Sequence, residues 1–199
     1  MLIKNDDIRN FLIDEYGEEK VKDICLLPDY ANAFEGIAMF SLNAIYSWRK
    51  MVFIYALGNH MAIADAVEEV KQEIDDFYKV LKSKAPIINM GNPFEDDEEY
   101  PDNNDIRDFL IEEFGDDGND VCLFPEFAPA FTGMSMFTNR AIYDFRQMID
   151  LYASEKHVTD DDALKEVQKE IDALYTIYED FEQDPPIVNI GSPFDDDDE

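Results

Sequence analysis

The chain has 199 residues, 46% of them hydrophobic, and its 47 Asp and Glu against 16 Lys and Arg give a formal net charge of -31. The hydrophobic fraction, with 15 Phe and 10 Tyr, suffices for a packed core, so the acidity does not mark a disordered chain. The charge excludes non-specific attraction to nucleic acid and to anionic membranes, because both need a positive protein surface. It favours cations or basic proteins as partners.

The first predicted element is an amphipathic helix, and it occurs twice. The segment DIRNFLIDEYG from Asp7 recurs as DIRDFLIEEFG from Asp105, and in both the apolar residues fall on one helical face. Asp6 or Asp7 is expected to cap the first helix, and Gly17 to end it. The recurrence predicts two copies of one domain.

Two strands and a helix are predicted next in each copy. ICLLP from Ile24 and AFEGIAMF from Ala33 are apolar enough for strands, and they recur as VCLFP from Val121 and AFTGMSMF from Ala130. A helix is then indicated by residues at helical spacing up to Gly58. These residues are Ala44, Ile45, Trp48, Met51, Val52 and Tyr55.

Apolar residues at alternating intervals of four and three predict a long helix in each copy. They are Ile63, Val67, Val70, Ile74, Phe77 and Leu81 in the first copy, and Leu164, Val167, Ile171, Leu174, Tyr178 and Phe181 in the second. Thr159 and Asp162 form a capping pair, and Asp160 and Asp161 suit the positive end of the helix dipole. We expect each seam to face its own sheet, with pairing of the two long helices as the alternative.

A last strand closes each copy, APIINM in the first and PPIVNI in the second, and a Gly-x-Pro-Phe turn and an acidic run follow. Each copy is therefore predicted to be a small α+β domain with helices packed on a mainly antiparallel sheet. The repeat assigns residues 1–94 to a first domain, 95–104 to an acidic linker, 105–194 to a second domain and 195–199 to an acidic tail.

No segment carries a catalytic signature, and both Gly-rich nucleotide loops are missing. His60 and His157 are expected to be ordinary turn residues, because no second His or Cys lies at ligand spacing. Cys25 and Cys122 are expected to be buried free thiols, with a bridge between the copies as the minor alternative. DDGND at 116–120 lacks the spacing of an EF-hand. The sequence therefore predicts no catalytic residue, no metal site and no cofactor.

The acids crowd the polar faces of the long helices, which argues against solubility as their only purpose. Like charges one turn apart destabilise a helix, and a surface selected for stability would place lysine between them. Residues 1–100 hold 20 acids and 10 bases, whereas residues 101–199 hold 27 acids and 6 bases. This imbalance indicates that the second copy is shaped for a partner.

Carboxylates on one helix face resemble a phosphate backbone in their spacing. Side chains at i and i+4 lie about 5 to 6 Å apart, and duplex DNA carries one negative charge per roughly 1.7 Å of axis over its two strands. Such a surface would compete for the basic groove of a nucleic-acid-binding protein. The predicted partner-binding residues are Glu95, Asp96, Asp97, Glu98, Glu99, Asp160, Asp161, Asp162, Glu166, Glu170, Asp195, Asp196, Asp197, Asp198 and Glu199.

Small size, extreme acidity, duplication and the lack of catalytic motifs together resemble phage-encoded DNA-mimic inhibitors, among them anti-restriction and anti-CRISPR proteins. The resemblance implies an inhibitor, not an enzyme, that occludes the basic nucleic-acid-binding surface of a host defence nuclease, such as an RNA-guided nuclease. Two alternatives stay open. One is an immunity protein or antitoxin that caps a basic nuclease toxin, which gene neighbourhood would distinguish. The other is an acidic chaperone that binds basic proteins without preference.

The sequence also predicts the compartment. No stretch reaches the roughly 18 uninterrupted apolar residues of a membrane span. The residues from Met1 to Asp7 lack the basic start and the long apolar centre of a signal peptide. We therefore expect a cytoplasmic protein, in the host cell if it is phage-encoded, that binds neither membrane nor nucleic acid directly.

Overall fold

The computed structural model describes residues 2–81, 84–95, 100–181 and 183–194. Its contacts divide the chain into two compact units, unit 1 with residues 1–91 and 191–199, and unit 2 with residues 92–190. The domain boundaries predicted above rest on sequence similarity and stay a prediction. The units are defined by contacts, and each contains the short segment that follows the last strand of the other.

The helices of unit 1 are α1 (Asn5–Tyr16), α2 (Glu18–Val21), α3 (Trp48–Asn59) and α4 (Ile63–Leu81), and its strands are β1 (Phe34–Ile37), β2 (Ala44–Ser47) and β3 (Ile87–Asn89). The helices of unit 2 are α5 (Asn103–Phe114), α6 (Phe145–Lys156) and α7 (Asp160–Asp180), and its strands are β4 (Phe131–Met134), β5 (Ala141–Asp144) and β6 (Ile187–Asn189). Short 3-10 helices span Pro28–Ala33, Gly115–Asp120 and Pro125–Ala130. The α+β class is confirmed, and the described parts of the chain form two similar halves.

Each unit carries a three-stranded mixed sheet, so the prediction of a mainly antiparallel sheet is wrong. The orders are β1-β2-β3 and β4-β5-β6. In both sheets the first pair of strands is antiparallel and the second pair is parallel. Parallel strands need a long crossover connection, and α3 with α4 in unit 1 and α6 with α7 in unit 2 form these connections.

The ICLLP and VCLFP segments are not strands. Residues 24–27 and 121–124 have irregular structure, and Pro28 and Pro125 then start 3-10 helices. Because proline fixes φ and lacks an N–H, it suits the first position of a helix. The buried backbone of these segments is held by a side chain, since the Tyr46 hydroxyl accepts a hydrogen bond of 2.9 Å from the N–H of Leu27.

The helix after the strands begins later than predicted. Ala44 and Ile45 belong to strand β2, and α3 starts at Trp48, where the Ser47 hydroxyl accepts a hydrogen bond from the N–H of Lys50. The side chain of Asp144 caps α6 in the same way at 2.8 Å. Apolar residues of strand β2 happen to continue the spacing of the helix, so the spacing does not show where α3 begins. The cap at Ser47 marks the end of the strand and the start of the helix.

The cap of the first helix also differs from the prediction. Lys4 occupies the cap position of α1, and the Asp7 carboxylate accepts a hydrogen bond of 2.9 Å from its N–H. In α5 the corresponding cap is Asp102, which accepts hydrogen bonds from two N–H groups of the first turn. The predicted end of α1 at Gly17 is confirmed, with the Gly17 N–H bound to the carbonyl of Ile13 at 2.9 Å.

The long helices are confirmed, but their buried faces differ from the predicted seams. Ala66, Val70 and Ile74 are buried on α4, whereas Ile63 is 51% exposed. On α7 the buried residues are Ala163, Val167 and Ile171, and Leu164 and Phe181 of the predicted seam are exposed. The small alanines allow α4 and α7 to pack closely on the preceding helices, α3 and α6.

The phenylalanines of the Gly-x-Pro-Phe segments, Phe94 and Phe194, are partly buried and pack on aromatic rings of the units that contain them. In unit 2 the ring of Phe94 packs edge-on at 6.0 Å from that of Phe109 and at 6.4 Å from that of Phe131. In unit 1 the ring of Phe194 packs edge-on at 6.1 Å from that of Phe11. Edge-to-face aromatic pairs at this distance are favourable. Among the described residues, no helix combines the length and the apolar character that crossing a membrane requires.

Candidate functional site

Helix α7 carries five of the predicted partner-binding acids, Asp160, Asp161, Asp162, Glu166 and Glu170. The Thr159 hydroxyl accepts a hydrogen bond of 3.3 Å from the N–H of Asp162, which confirms the predicted capping pair. Asp160, Asp161 and Asp162 form the first turn, and all three side chains are exposed. Their negative charge is favourable there, because the free N–H groups give this helix end a partial positive charge.

Three of the predicted acids lie on one face of α7. Asp162, Glu166 and Glu170 follow each other at i, i+4 and i+8, so neighbouring Cβ atoms are about 5–6 Å apart. Two neighbouring lysines bind this row, contrary to the expectation that lysine is not interspersed. The Nζ atom of Lys165 lies 3.6 Å from Oδ1 of Asp162, and the Nζ atom of Lys169 lies 3.0 Å from Oε2 of Glu166. Exposed pairs of this kind contribute little to stability, so they reduce the net charge of the row without holding its side chains in one geometry.

Glu170 differs from the other acids of the row, because it is only partly exposed. Burial raises the pKa of its carboxyl, and the nearby Glu126 raises this pKa further. Lys156 and Lys169 act in the opposite direction. These surroundings therefore destabilise the charged form of Glu170.

The remaining predicted residues lie at the ends of the two copies. Glu95 is exposed in a turn. Asp96, Asp97, Glu98, Glu99 and the tail residues Asp195, Asp196, Asp197, Asp198 and Glu199 lie outside the described residues. Their part in a partner-binding surface stays a prediction.

A cleft in unit 2 adjoins the α7 row. Its volume is about 410 Å³, and it lies between the 3-10 helix Pro125–Ala130 and the middle of α7. The residues that line it are Phe124, Pro125, Glu126, Phe127, Glu170, Ala173 and Leu174. An apolar cleft with a few polar groups is the usual form of a small-ligand site.

The two histidines are exposed and end helices. His60 follows α3 and His157 follows α6, and both adopt the left-handed conformation, with φ of 53° and 55°. A residue in this conformation commonly terminates a helix. Their repeated position thus has a backbone explanation.

Cys25 and Cys122 are free thiols, but they are partly exposed and not buried as predicted. Burial of the surrounding surface nevertheless raises the pKa of each thiol. A raised pKa makes a thiol a poorer nucleophile at neutral pH. Among the described residues, no three His, Cys, Asp or Glu side chains gather as a metal site requires.

The acidic 3-10 helix Gly115–Asp120 is held by hydrogen bonds from Arg107 and by close packing at Gly118. The Arg107 guanidinium donates hydrogen bonds to the carbonyls of Gly118 and Asn119, at 2.7 Å and 3.1 Å. A Cβ atom on Gly118 would lie 2.2 Å from the carbonyl oxygen of Leu110. Glycine is therefore required here by the close approach of two backbone segments.

The cleft and the partly buried environment of Glu170 are not predicted by the sequence patterns described above. One signal was available, because Tyr30 in the first copy corresponds to Phe127 in the second, and Glu73 corresponds to Glu170. An exchange of tyrosine for phenylalanine removes a hydroxyl and leaves the ring.

No protein-family model, curated protein or solved structure matches this chain.

Proposed function

We propose that this protein is a DNA-mimic inhibitor that occupies the basic nucleic-acid-binding surface of another protein, of the anti-restriction or anti-CRISPR kind. It acts by occlusion, without catalysis. The observation that supports the proposal most is the row of exposed carboxylates on α7, extended here to Asp160, Asp161, Asp162 and Glu166, on a helix that Ala163, Val167 and Ile171 anchor in the core. A buried face holds the row in place, so the partner need not order it.

Electrostatics supports rapid association with a basic partner. The chain carries a net charge of -31, and such a field raises the rate at which oppositely charged surfaces meet. The carboxylate row then supplies local contacts in place of phosphates. Exposed charges at the rim of an interface act mainly on the association rate and its salt dependence.

The proposal is tested by competition for a basic nuclease. A fluorescently labelled DNA duplex is bound to a purified RNA-guided or restriction nuclease, and its release by the full chain is followed by anisotropy. We expect the wild-type chain to release the duplex. A variant with Asp160→Asn, Asp161→Asn, Asp162→Asn and Glu166→Gln should need about ten-fold more protein for the same release.

The matched control removes four exposed acids from unit 1. Asp14→Asn, Glu15→Gln, Glu18→Gln and Glu19→Gln change the net charge by the same amount, at positions that are all exposed. This variant should compete almost as well as the wild type. Equal loss in both variants would mean that only net charge matters, and the α7 row would have no special role. Failure of the wild type to release DNA from any basic nuclease would refute the function itself.

A further inference from the structure

The two units differ in what faces one glutamate of the long helix. In unit 1 the Tyr30 hydroxyl donates a hydrogen bond of 2.8 Å to the Glu73 carboxylate. In unit 2 the corresponding residues are Phe127 and Glu170. Because Phe127 has no hydroxyl, Glu170 receives no hydrogen bond from this position. The carboxylate instead lines the cleft described above.

The walls of this cleft are preformed. Phe124 and Phe127 are 0% and 3% exposed, so their rings are fixed in the core of unit 2 beneath the cleft and present almost no surface to an occupant. Ala173 and Leu174 of α7 supply the facing wall. The volume of about 410 Å³ lies within the range of roughly 300–1,000 Å³ that is usual for small-ligand sites. A side chain of moderate size can therefore enter without reorganisation of the core.

The polar side of the cleft is negative. Glu126 and Glu170 both line it, and the carboxylate of Glu126 raises the pKa of Glu170 in addition to the effect of burial. The nearby lysines have other carboxylate partners, since Lys156 lies 2.8 Å from Glu155 and Lys169 lies 3.0 Å from Glu166. A cation placed in the cleft would relieve the repulsion between the two glutamates.

We propose that this cleft is a guanidinium site whose occupant is an arginine side chain of the basic partner. A guanidinium group is planar, weakly hydrated and donates five N–H bonds in a fork. It thus suits a site in which the carboxylates of Glu126 and Glu170 lie beside the accessible apolar side chains of Pro125 and Leu174. An ammonium group is more strongly hydrated and lacks the flat face. The proposal that the cleft binds a guanidinium group rests on the residues that line it. The proposal that this group belongs to an arginine of a basic partner rests on the proposed function.

The test uses the full chain and N-acetyl-argininamide as the probe. Methyl signals of Ala173 and Leu174 are followed by NMR during a titration at physiological salt. We expect saturable shifts with this probe, and about ten-fold weaker binding of N-acetyl-lysinamide. Phe127→Tyr should weaken binding of the arginine probe by about ten-fold, because the new hydroxyl would donate to Glu170 as Tyr30 does to Glu73.

Glu170→Gln should weaken binding of the probe to a similar extent, and Asp172→Asn is the matched control. Asp172 is exposed on the same helix, and its replacement removes the same charge. Its affinity should stay within about two-fold of the wild type. Equal effects of Glu170→Gln and Asp172→Asn, or shifts that do not saturate, would overturn the site. If Glu170→Gln fails to fold, Phe127→Tyr decides.

The two proposals can fail separately. Saturable arginine binding without release of DNA from any basic nuclease would leave the guanidinium site standing and refute the inhibitor function. Release of DNA by a chain that does not bind the arginine probe would refute the site alone. In the first case the partner of the cleft would be sought among proteins that do not bind DNA.

Discussion

Replacing Tyr143 by Phe removes one oxygen from the centre of unit 2. Tyr143 is 0% exposed, and its hydroxyl accepts a hydrogen bond of 3.2 Å from the N–H of Phe124. Because Phe124 is also 0% exposed, water cannot replace the lost acceptor without opening the core. A buried donor left without a partner costs about 1–3 kcal/mol, so we expect Tyr143→Phe to lower the free energy of unfolding by about 2 kcal/mol.

The measurement is urea denaturation followed by circular dichroism. The slope of the free energy of unfolding against urea concentration should not change, because the variant exposes the same surface on unfolding. Tyr46→Phe should have a similar effect in unit 1, where the hydroxyl accepts from the N–H of Leu27 at 2.9 Å. Tyr100 is 79% exposed, so Tyr100→Phe should stay within about 0.5 kcal/mol of the wild type. A loss of stability no larger for Tyr143→Phe than for this control would refute the reasoning.

Three further predictions concern packing, alkaline pH and thiol chemistry. Gly118→Ala should lower the free energy of unfolding by about 1–3 kcal/mol, because the added Cβ would meet the backbone carbonyl of Leu110. Gly58→Ala should raise it by about 0.5–1 kcal/mol, because Gly58 lies within α3 with open space around it. Urea denaturation that gives the reverse order would contradict both expectations. Burial raises the pKa of Tyr78 from 10.0 to about 12. Below pH 10 this tyrosine is neutral in both states, and between pH 10 and 12 only the unfolded chain loses the proton. The free energy of unfolding should therefore fall across this window by about 1.4 kcal/mol per pH unit for this group. Tyr78→Phe should reduce this fall. The same dependence of the free energy of unfolding on pH in the wild type and in Tyr78→Phe would disprove the expectation. Because burial raises the pKa of the Cys122 thiol, a disulfide reagent should label the folded chain more slowly than the urea-unfolded chain; equal rates would count against this.

The sequence predicted those elements that are specified by residues within the element, such as a capping residue, a glycine at a helix end or a regular apolar spacing. The end of α1 at Gly17, the long helices and the Thr159–Asp162 cap are such cases. The last strands, β3 and β6, were also predicted, because a short run of β-branched residues stands between proline and glycine.

Features that depend on distant residues could not be predicted in this way. ICLLP has the composition of a strand, but Tyr46, 19 residues away, binds its backbone and replaces a strand partner. The parallel pairing of β2 and β3 is set by the path of the chain through α3 and α4. The start of α3 is hidden because apolar strand residues at 44 and 45 continue the helical spacing.

The candidate site was predictable only in part. The composition and the helical pattern locate the exposed acids of α7, from Asp160 to Glu166. Neither shows that Glu170 is partly buried in an apolar cleft, because this depends on a 3-10 helix more than 40 residues earlier in the chain. A comparison of the two copies would have drawn attention to the position, since Tyr30 and Phe127 differ by one hydroxyl.

The salt dependence of binding to a basic nuclease tests the central claim most directly. The logarithm of the dissociation constant is measured against the logarithm of salt concentration for the wild type, for the α7 variant with four acids neutralised and for the matched unit 1 variant. A row of carboxylates that replaces phosphates should give a steep slope that the α7 variant reduces and the unit 1 variant leaves nearly unchanged. The same slope for all three proteins, or binding that is insensitive to salt, would contradict the account.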